Sequence, residues 1–93
     1  MTKHPKTTKL AFDTLQARLS LKETQLEFAT RFRVSRGTVN KWENGVVEHT
    51  QKIYREILLS LLARLKAEGR LVPDELIYTM FKNDSELVTS GVR

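Results

Sequence analysis

Residues 24–45 read TQLEFATRFRVSRGTVNKWENG, two short amphipathic segments joined by a three-residue turn. Thr24 followed by Glu27 makes a capping box, in which the hydroxyl accepts a first-turn amide and the Glu reaches back to the cap's own amide. The helix it opens is expected over 25–32, with Phe28, Ala29 and Phe32 buried. Arg33-Val34-Ser35 is a tight turn, and Ser35 is a second N-cap, opening a helix over 36–43 with Val39 and Trp42 inward. Asn44-Gly45 ends that helix, since glycine suits the left-handed C-cap. Phe28, Ala29, Val34, Val39 and Trp42 are spaced to lock the two short helices at a steep angle, and a large side chain at Ala29 would push them apart.

The locked arrangement leaves Arg36, Gly37, Asn40 and Lys41 facing outward on the second helix. These residue types suit base edges in a groove about 12 Å wide: Arg or Lys donates to guanine O6 and N7, and Asn can pair with adenine N6 and N7. Outside such a motif the same residues would be an ordinary solvated helix face. Phe28, Phe32 and Trp42 sit at helical spacing and are expected in the core, with no stacking role.

Outward from this stretch the periodicity stays helical. Residues 8–19 read as a helix with Ala11, Leu15 and Leu19 in register and Phe12 beside them. Thr50 is placed to cap the longest helix, over 51–68, which carries Ile53, Tyr54, Ile57, Leu58, Leu61, Leu62 and Leu65. That apolar stripe is wider than one face of a small domain needs. Gly69 stops it, and Pro73 fits the first turn of a last helix over 73–81, with Leu76, Ile77, Met80 and Phe81. Residues 83–93 are polar and expected to fray. The organisation expected is a flexible basic arm (1–7), a DNA-binding domain (8–70), and a C-terminal helix and tail (71–93) serving as a candidate dimerisation element. The fold class is all-α with five helices.

Charge is divided unevenly along the chain. The net charge is +5, but residues 1–55 hold eleven Lys or Arg against five Asp or Glu, while 56–93 hold five against six. A basic half suits a polyanion and a near-neutral half suits self-association. Cysteine is absent, so disulfides and thiolate metal sites are excluded. His4 and His49 have no partners for a metal site, and no cofactor or metal is expected. No apolar run suits a bilayer or a secretory leader, so a reducing cytoplasm is the expected location.

The 22 residues quoted above resemble the Cro/Xre-type helix-turn-helix repressors of phages, plasmids and bacterial chromosomes. The shared elements are the Thr-Gln opening, the mid-helix Ala29, the Val34-Ser35 turn, the Thr38-Val39 pair and Trp42-Glu43-Asn44-Gly45. The likeness extends more weakly to 8–21 and to the helix after Thr50, and fades beyond about Leu71. It implies a lambda-repressor-like domain in which Arg36, Gly37, Asn40 and Lys41 face bases. Gln25, Ser35, Thr38 and Asn44 are implied to contact phosphates, Gln25 with help from a helix dipole. It also implies that Glu43 pairs with Arg18 on the first helix. Three positions depart from the pattern: Arg33 stands where glycine is usual and must turn left-handed, Glu23 replaces an apolar residue, and Gly37 replaces a polar one.

The function expected is therefore a double-stranded DNA-binding transcriptional regulator, a homodimeric repressor reading an inverted repeat. The alternative is an antitoxin or adaptor that binds its own promoter with the same motif and a protein through its C-terminal part. Leu65, Leu76, Ile77, Met80 and Phe81 are the candidates for the dimer face. An enzyme is not expected, since the sequence has no Cys nucleophile, no Gly-rich phosphate loop and no His–carboxylate set at useful spacing. Neither a membrane nor a small-molecule ligand is expected as a partner.

Overall fold

Short polar caps punctuate this chain, and among the described residues of the computed structural model they delimit five α-helices: α1 (Lys9–Leu21), α2 (Gln25–Phe32), α3 (Arg36–Glu43), α4 (Lys52–Ala67) and α5 (Asp74–Gly91). The structure describes residues 8–47 and 49–91, with side chains as far as Lys82. The described residues contain no strand, and the domain is all-α. The arm expected at 1–7 lies outside the described residues.

The caps explain most of the boundaries. Thr8 Oγ1 accepts the Ala11 amide at 3.0 Å to start α1. At its far end Lys22 turns left-handed (φ 59°), and the Glu23 amide reaches back to the Arg18 carbonyl at 3.1 Å. The closure carries α1 two residues past the expected Leu19. In α2 both halves of the capping box form, and Arg33 ends the helix at φ 59°, as the departure from glycine requires. The cost of that conformation in a non-glycine residue is about 1–2 kcal/mol.

Two expectations about the later helices need correction. Thr50 does not cap α4: the helix starts at Lys52, Gln51 occupies the N-cap without a side-chain bond, and Thr50 is left one residue too far out. The last helix does not stop at Phe81 but runs to Gly91. No Pro or Gly interrupts 74–90, and Asp74 and Glu75 in its first turn favour the positive end of the helix dipole. Pro73 lies just outside this helix, its carbonyl accepting the Leu76 and Ile77 amides.

The central element is α1, apolar on two sides because it is covered on two sides. On one, Leu10 and Ala17 join Phe28, Ala29, Phe32, Val39, Trp42 and Leu58 from α2, α3 and α4. On the other, Ala11 and Leu15 meet Ile77 and Phe81 from α5. An aromatic series runs through the first cluster: Phe28 to Phe32 at 4.8 Å between ring centres, Phe32 to Trp42 edge-on at 5.7 Å, and Trp42 to Tyr54 at 5.8 Å. Burial of Phe28 and of Phe32 contributes roughly 1.5–3 kcal/mol each.

Polar bonds fix the C-terminal segment to the same body. Gln16 Nε2 donates to the Val72 carbonyl at 2.7 Å and to Asp74 Oδ1 at 2.8 Å. The Val72 amide donates to Ser20 Oγ at 2.9 Å. Gln16 and Ser20 are buried, so these bonds satisfy groups that would otherwise be costly to bury. Residues 72–81 therefore close the far side of α1.

Candidate nucleic-acid interface

The site begins with the geometry of α2 and α3. Arg33 N–H donates to the Thr30 carbonyl and Val34 N–H to the Ala29 carbonyl, so the chain reverses within three residues. Ser35 Oγ then accepts the Thr38 amide at 3.1 Å and starts α3. Ala29 is fully buried at the crossing, as its small size requires. Val39 and Trp42 anchor the inner face of α3.

On the outer face Arg36, Gly37, Asn40 and Lys41 are all exposed. At about 100° per residue, Arg36 with Asn40 and Gly37 with Lys41 form two adjacent rows one helical turn apart. The four positions expected to read bases thus occupy one continuous solvent-facing strip. Gly37 is not there for want of space: a β-carbon would meet only Ser35 Oγ, at 3.7 Å.

α3 is braced at its C-terminal end. Arg18 Nε donates to Glu43 Oε2 at 2.6 Å and Arg18 Nη2 to Glu43 Oε1 at 3.1 Å. Its third arm, Nη1, donates to the Glu23 carbonyl at 2.9 Å, tying the connection after α1 to the same guanidinium. The pair implied by the family resemblance is present, and only 17% and 8% of the two side chains are exposed. Glu23, the second departure, serves α2 instead of the core, forming an ion pair with Arg31. The hydrogen bond to Glu23, aided by its charge, raises the Arg31 pKa against a smaller desolvation effect.

A polar chain missed in the sequence extends this brace onto the outer strip. Gln25 Nε2 donates to Glu43 Oε1 at 3.1 Å and to Asn40 Oδ1 at 3.4 Å. Asn44 Nδ2 donates to the same Asn40 oxygen at 3.0 Å. Both amide hydrogens of Gln25 are therefore engaged inside the protein, and its side chain offers a phosphate no free donor in this arrangement. The partners of Gln25 lie 15 and 18 residues away and leave no periodic trace, whereas Asn40 and Asn44 stand at the helical spacing of four.

The other expected contacts are placed as follows. Ser35 and Thr38 share a hydroxyl–hydroxyl bond of 3.0 Å beside the start of α3. Lys41 and His49 flank an open hollow between α3 and the start of α4, also lined by Thr38, Trp42, Val47, Thr50 and Gln51. Among the residues expected at a dimer face, Leu65, Ile77 and Phe81 are buried in the chain's own interior, at 1%, 0% and 5% exposure. Helical spacing marks a residue as apolar without saying which surface covers it. Leu76 and Met80 remain open, at 48% and 37%.

Fold and site together define a five-helix all-α domain with a braced, outward-facing polar helix. No family model, curated protein or solved structure matches the chain. No helix among the described residues is long and apolar enough to cross a membrane.

Proposed function

We propose that this chain is a sequence-specific binder of double-stranded DNA, acting as a homodimeric transcriptional repressor on an inverted repeat, with α3 in the major groove. The observation that carries the reading is the exposed strip of Arg36, Gly37, Asn40 and Lys41 on a helix braced by Glu43 and Arg18. An α-helix with side chains is about 10–12 Å across, matching a major groove about 12 Å wide. Arg36, Asn40 and Lys41 address base edges, while Gly37 leaves backbone where a side chain would stand. Ser35, Thr38 and Asn44 lie beside them, where hydroxyl and amide groups suit the phosphates along the groove. At Gln25 the α2 amides and dipole, not the occupied side chain, are the groups suited to a phosphate.

A two-fold assembly follows from the short reach of one α3. Two copies set about 34 Å apart would read successive turns of the same duplex face. The reading involves no catalytic step and no cofactor. It is tested by selecting bound duplexes from a random pool: an inverted repeat with half-sites about one turn apart is the expected product, and indifference to sequence would refute it.

A second reading, an antitoxin or adaptor with the same DNA face, draws on Leu76, Tyr78 and Met80, three exposed apolar side chains on α5. Co-purification of an unrelated chain that is lost on Leu76→Ser with Met80→Ser favours it over the homodimer.

A further inference from the structure

We propose that Asn40 is held as a pure hydrogen-bond donor toward the groove, and so selects guanine over adenine, by a relay of hydrogen bonds that starts at the Arg18–Glu43 pair. The inference rests on the DNA-binding reading above and specifies the base that one residue of the site takes.

The direction of each bond follows from what each group can do. Arg18 can only donate, so both Glu43 oxygens accept. Glu43 Oε1 also faces the end of the Gln25 side chain at 3.1 Å, and a carboxylate can only accept, so Gln25 must present its NH2 and not its carbonyl. The same NH2 faces Asn40 at 3.4 Å. That contact is long and weak, but its sign is decisive: the opposite orientation of Asn40 would set two NH2 groups against each other. Asn44 Nδ2 then donates to the same oxygen at 3.0 Å. Asn40 Oδ1 has two lone pairs and two donors, and is filled.

What remains for a ligand is the NH2 of Asn40, on the exposed strip of α3. Paired recognition of adenine needs both ends of the amide, the NH2 on N7 and the oxygen on N6–H. With its oxygen occupied, Asn40 has no acceptor for N6–H. Guanine presents two acceptors, O6 and N7, and meets two donors without conflict. Cytosine presents a donor, N4–H, and is opposed. The ion pair that braces α3 therefore also sets the polarity of a reading group on the adjoining exposed face.

Selection of bound duplexes from a random pool tests this with four proteins. Asn40→Ala should relax preference at one base pair per half-site, which locates the contact; relaxation at none overturns the proposal. At that pair the wild type should favour guanine over adenine on the order of tenfold. The double variant Gln25→Ala with Asn44→Ala frees the oxygen and should accept adenine at least as well as guanine. Asn40→Asp, which offers oxygen alone, should move the preference to cytosine. Adenine preferred by the wild type, or an unchanged guanine bias in the double variant, overturns the relay and leaves DNA binding standing. Failure of the wild type to enrich any sequence removes the DNA reading and the relay with it. Side-chain amide exchange in the free protein adds a readout without DNA: the Gln25 and Asn44 NH2 hydrogens should exchange more slowly than those of Asn40, and the reverse order overturns the relay.

Discussion

Arg18 and Glu43 meet through two hydrogen bonds, of 2.6 and 3.1 Å, that join the middle of the domain to the last residue of α3. Both side chains are largely withdrawn from water. Removing one partner strands the other's charge in a site built for two. Glu43→Ala is expected to lower unfolding stability by about 3 kcal/mol, measured by urea denaturation. Replacing both together, Arg18→Met with Glu43→Leu, should recover most of that loss, because an apolar pair needs no compensation for burial. The double variant should still bind DNA, with less preference for guanine over adenine at the Asn40 base pair, since Glu43 no longer orients the Gln25 amide.

Arg33 should be replaceable by glycine with a gain. Its left-handed conformation costs about 1–2 kcal/mol, while glycine adds roughly 0.5–1 kcal/mol of chain entropy to the unfolded state. Arg33→Gly is therefore expected to stabilise the protein by somewhat less than about 1 kcal/mol. A loss of stability would show that the Arg33 side chain makes a favourable contribution that outweighs the strain.

Gly37 offers the complementary test. A methyl group there has room, and alanine loses less chain entropy than glycine on entering a helix. Gly37→Ala should raise the melting temperature. If the α3 backbone closely approaches a base, the same variant should bind its duplex more weakly despite being more stable. Unchanged affinity would mean that Gly37 leaves its base pair unread.

How much of this was legible in the sequence depends on how far apart the interacting residues lie. The bounds of α2 and α3 follow from Thr24, Glu27 and Ser35 because a cap acts on amides two or three residues away. The left-handed turn at Arg33 was expected from the resemblance instead, because Arg33 stands where glycine is usual. Thr50 misled because any hydroxyl near a helix start looks like a cap, and one residue of offset removes the bond. The bonds from Gln16 and Ser20 to Val72 and Asp74 span 52 to 58 positions and depend on α5 folding back over α1. For Ile77 and Phe81 the pattern marked apolar residues correctly and assigned them the wrong cover, because a helix face has the same period against its own chain as against another.

Their burial separates two sets of α5 variants. Ile77→Ala should open a cavity beside Ala11 and Leu15 and lower stability by about 2–5 kcal/mol. Leu76→Ser with Met80→Ser alters only exposed positions and should stay within about 0.5 kcal/mol of the wild type. If α5 supplies the contact between copies, sedimentation should show that exposed pair weakening self-association at unchanged monomer stability. Unchanged association would place the contact elsewhere.

Ionic strength distinguishes the roles within the site. Binding to a short inverted repeat should weaken steeply as salt rises, with a logarithmic slope near −0.9 for each phosphate neutralised. A flat curve between low and moderate salt would contradict groove binding by the basic half of the chain. Lys41→Ala should cost about 1–3 kcal/mol at one base pair per half-site and leave that slope almost unchanged, because a base contact displaces no phosphate counterion. If the variant instead loses the same factor on every sequence and the slope falls by about one, Lys41 neutralises a phosphate. Arg36→Ala should follow the base-reading pattern, since Arg36 shares a row of α3 with Asn40, one turn away.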